Sequence, residues 1–384
     1  MTRNRIAYLQ YGNPAAYPPL ERSATQLSNA GWDILFLGAH TAGVESLTLP
    51  PLPHTRIALL SGSQGGWRMK AHYAWFCAWA FWRAVRYRPR WIYASDVLST
   101  PAALLLKTVS GARVLYHEHD AFAVDQPSLF MRVCLGACRR LSRVSDLTVL
   151  PSDGRVEHFS RQNAVSPKKC ARVWNCPSRA EVRPRRCDPG RDGVRMLFHG
   201  SIVPARLPLA VLHAMTMVPD RVTLRVIGYA TIDSKGYIDR LKEEASRLNL
   251  GGRVEIMGAV SRHADLLALS DACDIGLALM PVDTQDVNMR SMAGASNKAF
   301  EYLACGLPIL VSDRPDWRKM FVDTGFARSC NPEDAESIAE ALRWYVGNAA
   351  RARQMGEDGR QRILSEWNYE TQFAPVLQAI TAGA

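Results

Sequence analysis

The 384 residues contain no apolar run of the roughly 20 that a membrane-spanning helix needs. That removes the helical integral-membrane classes. The nine cysteines are scattered and no Cys-x-x-C occurs, so zinc-ribbon and thioredoxin-like motifs are absent. They read as reduced structural thiols of a cytosolic chain. Cys134 and Cys138, four apart, can share a helix face. Asp-x-Asp appears nowhere, so a common paired-carboxylate motif for a divalent metal is missing. No self-similarity at a period of 20–50 residues argues for a solenoid or propeller. The opening MTRNRIAYLQYG runs straight into a strand-like pattern, without the apolar core of a signal peptide.

Acid is scarce in one half. Residues 1–190 hold 25 of the 47 Lys and Arg but only 12 of the 36 Asp and Glu. The net charge of +11 therefore sits in that half, and the remainder is close to neutral. Such a half suits an anionic surface, and nucleic acid and acidic lipid both qualify. The length is enough for two domains with two sizeable cores.

What is present is a run of alternating strands and helices. Strands are expected at Arg5–Leu9, Asp33–Leu37, Arg56–Leu60, Arg90–Asp96, Arg113–Tyr116, Asp146–Leu150 and Arg172–Trp174. Helices are expected at Glu21–Ala30, Leu98–Val109 and Met131–Arg143, with Pro18-Pro19 in a loop. This alternation predicts a doubly wound α/β unit. Ser178–Asp192 is rich in Arg, Pro and Asp, lacks periodicity, and reads as a linker. A second series follows, with strands at Arg195–Phe198, Arg221–Ile227, Val254–Met257 and Ile275–Met280. Its helices fall at Leu207–Met217, Tyr237–Leu248 (with a Glu243/Arg247 pair at i, i+4) and Leu266–Ala272. A helical tail runs from Arg351 to Ala384.

The stretch Trp67–Trp91 carries five of the ten tryptophans, with Arg68, Lys70, Arg83, Arg86 and Arg88 near its ends. One reading is a helix packed on a sheet. The other is an interfacial helix, whose rings sit at headgroup level and whose arginines meet lipid phosphates. A mixed role is expected, one side on the domain and the rim on an anionic membrane. His117-Glu118-His119-Asp120 follows the strand that ends at Tyr116. Four adjacent residues cannot all face one metal ion.

The densest stretch is SNKAFEYLACGLPILVSD, Ser296–Asp313. Ser296 or Asn297 caps a short helix. Phe300, Leu303 and Ala304 form its core stripe, Gly306 and Pro308 stop it, and Ile309-Leu310-Val311 is a buried strand. Lys298 and Glu301 sit three apart, off that stripe. A helix N-terminus with a lysine suits a diphosphate, and the carboxylate suits a pair of sugar hydroxyls. A surface Lys–Glu pair gives the same pattern.

This segment resembles the donor-binding signature of glycosyltransferase family 4, whose Lys-x-x-Glu-Tyr-(Leu/Met)-Ala-x-Gly-x-Pro run it matches. The resemblance extends over roughly residues 5–375. It implies a GT-B fold: an acceptor-binding Rossmann-like domain at 1–180, a linker at 181–193 and a nucleotide-sugar-binding domain at 194–365. The last helix, about 366–384, would return to the first domain. By the same resemblance Glu301 binds the nucleotide ribose and Lys298 the donor diphosphate. Gly200 marks the phosphate turn, Ser201 stands where relatives hold Arg, and Arg206 stands where they hold Lys. Ala293 replaces a glutamate near the donor sugar, so that contact falls to Asn288, Ser291 or Ser296. The turn Gly258-Ala259-Val260 aligns with the place of the base. His119 and Asp120 match the histidine segment near sugar and acceptor.

The implied reaction moves a sugar from a UDP- or GDP-sugar to a hydroxyl of a saccharide or glycolipid, with retention. It needs neither cofactor nor metal, nucleic acid is no partner, and the place is the cytoplasm or the inner membrane face. Rivals are a sugar-nucleotide epimerase on the same fold and a non-catalytic basic binding protein.

Overall fold

The computed structural model describes residues 4–41, 47–62, 67–122, 126–184, 193–231, 234–260 and 262–382. The linker expected at 181–193 lies mostly outside these. The chain divides into two compact units. One comprises residues 1–174, 286–291 and 369–384; the other comprises 175–285 and 292–368.

The first unit is built on seven strands: β1 Arg5–Leu9, β2 Asp33–Ala39, β3 Thr55–Leu60, β4 Trp91–Ser95, β5 Arg113–His117, β6 Leu147–Leu150 and β7 Cys170–Arg172. Their order is β3-β2-β1-β4-β5-β6-β7, with every pair parallel. Strand order reverses between β1 and β4, the switch point where doubly wound sheets bind ligands. Alternate residues feed two cores. Ala7, Leu9, Ile92, Val114 and Tyr116 pack under the helices Trp67–Tyr87, Thr100–Ser110 and Leu129–Val144. Ile6, Tyr8, Ile34 and Tyr93 face the helix Pro18–Asn29 and the last helix, Tyr369–Ala382. Phe373, Val376 and Ile380 are buried in that second core, and the Tyr369 hydroxyl donates to the Pro19 carbonyl at 3.1 Å.

The second unit repeats the scheme with β8 Val194–Ser201, β9 Val222–Tyr229, β10 Val254–Met257, β11 Ile275–Ala278, β12 Ile309–Ser312 and β13 Ala327–Cys330. The order is β10-β9-β8-β11-β12-β13, again wholly parallel, with its switch point between β8 and β11. Helices Ala210–Thr216, Tyr237–Arg247 and Ala335–Gly347 bury one face through Leu212, Leu241 and Leu342. The helix Asn297–Ala304 lies on the opposite face. Its Tyr302 ring sits on Gly276, where any Cβ would come within 2.2 Å of the ring.

Several local expectations are corrected. The first helix begins at Pro18 rather than Glu21, because two prolines at the first helical positions give up only N–H groups without a helical partner. A helix at Asp153–Asn163, capped by Ser152, went unread because its polar sequence DGRVEHFSRQN hides the buried Arg155 and Phe159. The strand expected at 172–174 is at Cys170–Arg172. Arg247 pairs with Glu244 at i, i+3, 2.6 Å away, rather than with Glu243.

Candidate functional site

In the second unit, β8 runs on through His199, Gly200 and Ser201, and the helix Asn297–Ala304 presents its N-terminus there. Gly200 adopts φ +100°, and a Cβ on it would press to 3.1 Å from Lys298 Cε. The neighbouring Gly228 allows the Gly200 carbonyl to pass where a Cβ would lie 1.8 Å away. These glycines let a lysine lie across the end of a strand.

Lys298 is buried, and its ammonium sits 5.0 Å from the Phe198 ring centroid. Burial, then the charge of Arg206, pulls its pKa down to about 7, with Glu301 opposing. Arg206 is aimed by its own Nη1, which donates to Ser201 Oγ at 2.7 Å. So Ser201 orients Arg206. Glu301 is also buried, with Oε2 3.4 Å from His199 Nε2. The His199 backbone N–H donates to the Tyr302 hydroxyl at 3.0 Å, which fixes the strand end to the helix.

Ser296 is the N-cap residue but makes no side-chain capping bond, and Asn297 Oδ1 is buried without a hydrogen-bond partner. A helix N-terminus, one cationic side chain and a second aimed nearby form an anion cradle, with a carboxylate one turn deeper. Gly200, Arg206, Ser296, Asn297, Lys298 and Glu301 thus lie on this strand end and helix or on the turn after β8, whereas Gly258-Ala259-Val260 follows β10. His199, Phe198 and Tyr302 were not singled out. Their signal was only position: the end of a strand at the switch point, and a tyrosine beside the glutamate.

In the first unit, β5 ends at His117 and the next three residues diverge. His117 Nδ1 pairs closely with the Tyr93 hydroxyl. Glu118 forms a buried ion pair with Arg155 at 2.9 Å. His119 Nε2 meets Ser95 Oγ at 3.0 Å, and Asp120 is exposed. Among the described residues no three His, Cys, Asp or Glu are grouped as a metal site requires.

The half-buried His119 is held down to about 4, chiefly by burial, with Asp120 opposing and Arg155 assisting. Its backbone N–H donates to Asp96 Oδ1 at 2.9 Å. In the sequence Asp96 is marked only as the end of the strand expected at Arg90–Asp96. It has φ 60° and ψ 173°, a conformation strained for anything but glycine, and burial raises its carboxyl to about 7. Tyr17 lies beside this pair, its ring centroid 5.5 Å from that of His119.

The loop that was to supply a sugar contact is divided. Asn288 and Ser291 belong to the first unit and Ser296 to the second. Asn288 is taken up by Ala121 and Arg155, and the Ser291 carbonyl accepts from Ser152 Oγ at 2.9 Å.

Residues 210–378 match a family model described as glycosyl transferase-like. Curated proteins give no match in sequence. Solved structures do match in fold. HepE from Anabaena, in complex with UDP and glucose, superposes with a TM-score of 0.73 at 15% identity, over 99% of this chain and 100% of that one. Sucrose-phosphate synthase from Thermosynechococcus elongatus gives 0.73 at 18% identity over the whole of both chains. WaaG, a glycosyltransferase involved in lipopolysaccharide biosynthesis, gives 0.64 at 12% identity over 98% of this chain and 99% of that one. The two parallel-sheet units thus share the GT-B fold of these structures, and residues 210–378 are glycosyl transferase-like in sequence.

Proposed function

We propose that this chain transfers a sugar from a nucleoside diphosphate sugar to an acceptor hydroxyl, with retention of configuration. The observation that carries the reading is the buried Lys298, laid across Gly200 at a helix N-terminus with Glu301 one turn further in. Breaking the anomeric C–O bond leaves negative charge on a nucleoside diphosphate. Lys298, Arg206 and the helix N–H groups supply fixed positive charge where that leaving group departs, the role a divalent metal fills elsewhere. Glu301 is set to accept hydrogen bonds from the ribose hydroxyls, with His199 steadying its carboxylate. Ser296 and Asn297, at the start of the same helix, offer a hydroxyl and an amide to the phosphates or the sugar. In the first unit His119 is the group assigned to the sugar or acceptor hydroxyl, backed by Asp96 and with Asp120 beside it.

UDP is favoured as the nucleotide because HepE of the same fold binds it. A saccharide of the cell envelope, free or lipid-linked, is favoured as acceptor because WaaG works in lipopolysaccharide biosynthesis. A thermal-shift panel of UDP, GDP, ADP and their glucose conjugates tests the donor half, since a ligand of the folded state raises the melting temperature. Stabilisation by none of them would remove the proposal. Release of free nucleotide and altered donor, without a glycosylated product, would replace it with an epimerase.

A further inference from the structure

The helices Trp67–Tyr87, Thr100–Ser110 and Leu129–Val144 cover one face of the first sheet and share one core beneath them. Their outer sides are unusual in two respects. They carry nine of the thirteen large exposed hydrophobic residues found among the described positions. Trp67, Trp75 and Trp82 are 75, 60 and 64% exposed, and Leu129 and Val133 on the third helix are 76 and 62% exposed. The three helices also contain no Asp or Glu at all, against Arg68, Lys70, Arg83 and Arg86 on the first and Arg132, Arg139, Arg140 and Arg143 on the third, all exposed. Lys107 on the middle helix is ion-paired with Asp146 at 2.7 Å, and Arg143 Nε donates to the Asn163 carbonyl at 3.2 Å.

The tryptophans are not spare core residues. The first helix buries Tyr73, Phe76, Ala80, Ala84 and Tyr87 on its inner side. Trp67, Trp75 and Trp82 are spaced at eight and seven residues, which aligns them on the opposite side. Between them Ala71, Ala74 and Ala78 are exposed and small, so the indoles stand proud. Arg83 lies 5.6 Å from the Trp79 ring centroid, which keeps a guanidinium at the edge of the apolar strip.

We infer that this three-helix face docks on an anionic lipid bilayer, with the indoles and the Leu129 and Val133 side chains at headgroup depth and the arginines on lipid phosphates. Charge complementarity decides between occupants. A second copy of the chain would set one acid-free basic face against another. A nucleic acid would satisfy the arginines and stack on the indoles. It would leave the aliphatic Leu105, Val109, Leu129 and Val133 with nothing to cover them. A bilayer interface satisfies all three kinds of side chain at once. The inference rests on the first unit alone and does not depend on the donor chemistry of the second.

The test is sedimentation of the full chain with vesicles of phosphatidylcholine alone and of phosphatidylcholine mixed with phosphatidylglycerol. Binding to the mixed vesicles is expected, weakened by salt. The double variant Trp75→Ser/Trp82→Ser should lose roughly tenfold in vesicle affinity. The variant Arg83→Gln/Arg86→Gln/Arg132→Gln/Arg139→Gln should lose the preference for phosphatidylglycerol. Unchanged thermal stabilisation by UDP in both variants confirms that the fold is intact. The inference is overturned by failure to bind mixed vesicles, by equal binding to both kinds, or by variants that bind like the parent. It is likewise overturned if vesicles are ignored while RNA binds, or while a dimer forms that the tryptophan variant abolishes. Vesicle binding without any response to UDP would leave this inference standing and remove the donor reading instead.

Discussion

Arg155 Nη1 donates to Asn288 Oδ1 at 2.7 Å, a bond between residues 133 apart in sequence. The same oxygen accepts from the Ala121 N–H at 2.7 Å, and Asn288 Nδ2 donates back to the Ala121 carbonyl at 2.9 Å. Arg155 is itself almost fully buried and ion-paired with Glu118. One amide thus accepts from a buried guanidinium, whose Nε has no partner among the described residues, and holds residues 286–291 within the first unit. Asn288→Ala removes the acceptor and leaves buried donors unmet. It should destabilise the first unit by about 1–3 kcal/mol, read as a lower urea midpoint for that unit. An unshifted midpoint would show that the bond contributes nothing net.

The proton on Lys298 should couple to nucleotide binding. Its folded pKa of about 7 lies below the 10.5 of an exposed lysine. Between those values the unfolded chain binds more protons than the folded one, so stability rises with pH across that window. Below about pH 7 the full cost of burying the charge is present. An arriving diphosphate favours the charged form and pulls the pKa back up. At pH 8, UDP binding should therefore take up a proton, and affinity should fall as pH rises from 7 to 9. Calorimetry in buffers of different ionisation enthalpy reads this directly. The slope should vanish in Lys298→Met, and identical enthalpies in every buffer for the parent chain would contradict it.

Glu301 should be read out by the ribose. A hydrogen bond to a charged acceptor is worth about 1.5–3 kcal/mol, so Glu301→Ala should weaken UDP binding by roughly tenfold to a hundredfold. The parent chain should prefer UDP to its 2′-deoxy analogue, and the variant should not. A variant that binds UDP as tightly as the parent, or that keeps the preference, would move the ribose elsewhere.

The stretch Ser296–Asp313 was legible because two independent signals agree there: a stripe with a stop, and an apolar run. The alternation of strands and helices gave the first sheet and all of the second but its edge strand β13, Ala327–Cys330, for the same reason, a change of period from 2 to 3.6. What escaped was held by tertiary contacts. The helix Asp153–Asn163 shows no apolar stripe, because a principal buried side chain is an arginine bonded to Glu118 and to Asn288, far along the chain. Asn288 was expected near the sugar by its loop position, and nothing local reveals that Ala121 and Arg155 occupy it. Asp96 shows no sequence mark of its backbone strain, since φ 60° at an aspartate is imposed by the turn after β4 and by the His119 N–H it receives. The outward tryptophans could be counted but not assigned, because the same periodicity fits a helix buried on either side.

Turnover should survive chelation. The leaving diphosphate meets Lys298, Arg206 and a helix N-terminus, which together supply the charge that a metal otherwise brings. Dialysis against EDTA should leave the rate of nucleotide release unchanged, and added Mg²⁺ should not raise it appreciably. Loss of activity restored only by Mg²⁺ or Mn²⁺ would show that these groups do not suffice.

His119 and Asp96 should divide the pH profile between them. With its pKa at about 4, the His119 imidazole is neutral across the working range and presents one donor and one acceptor nitrogen. No inflection near 6.5, where an ordinary histidine titrates, is then expected from it. In the first unit burial raises both Asp96 and Glu118 to about 7, and of the two it is the Asp96 carboxylate that accepts the His119 N–H. The profile of kcat at saturating donor, where the diphosphate holds Lys298 charged, should therefore break near pH 7, and Asp96→Asn, which keeps an acceptor oxygen but cannot titrate, should shift or shrink that break. His119→Ala should lower kcat roughly a hundredfold while leaving UDP affinity as it was, because the nucleotide is held by the second unit. A break near 6.5 that disappears in His119→Ala and persists in Asp96→Asn would reverse the assignment.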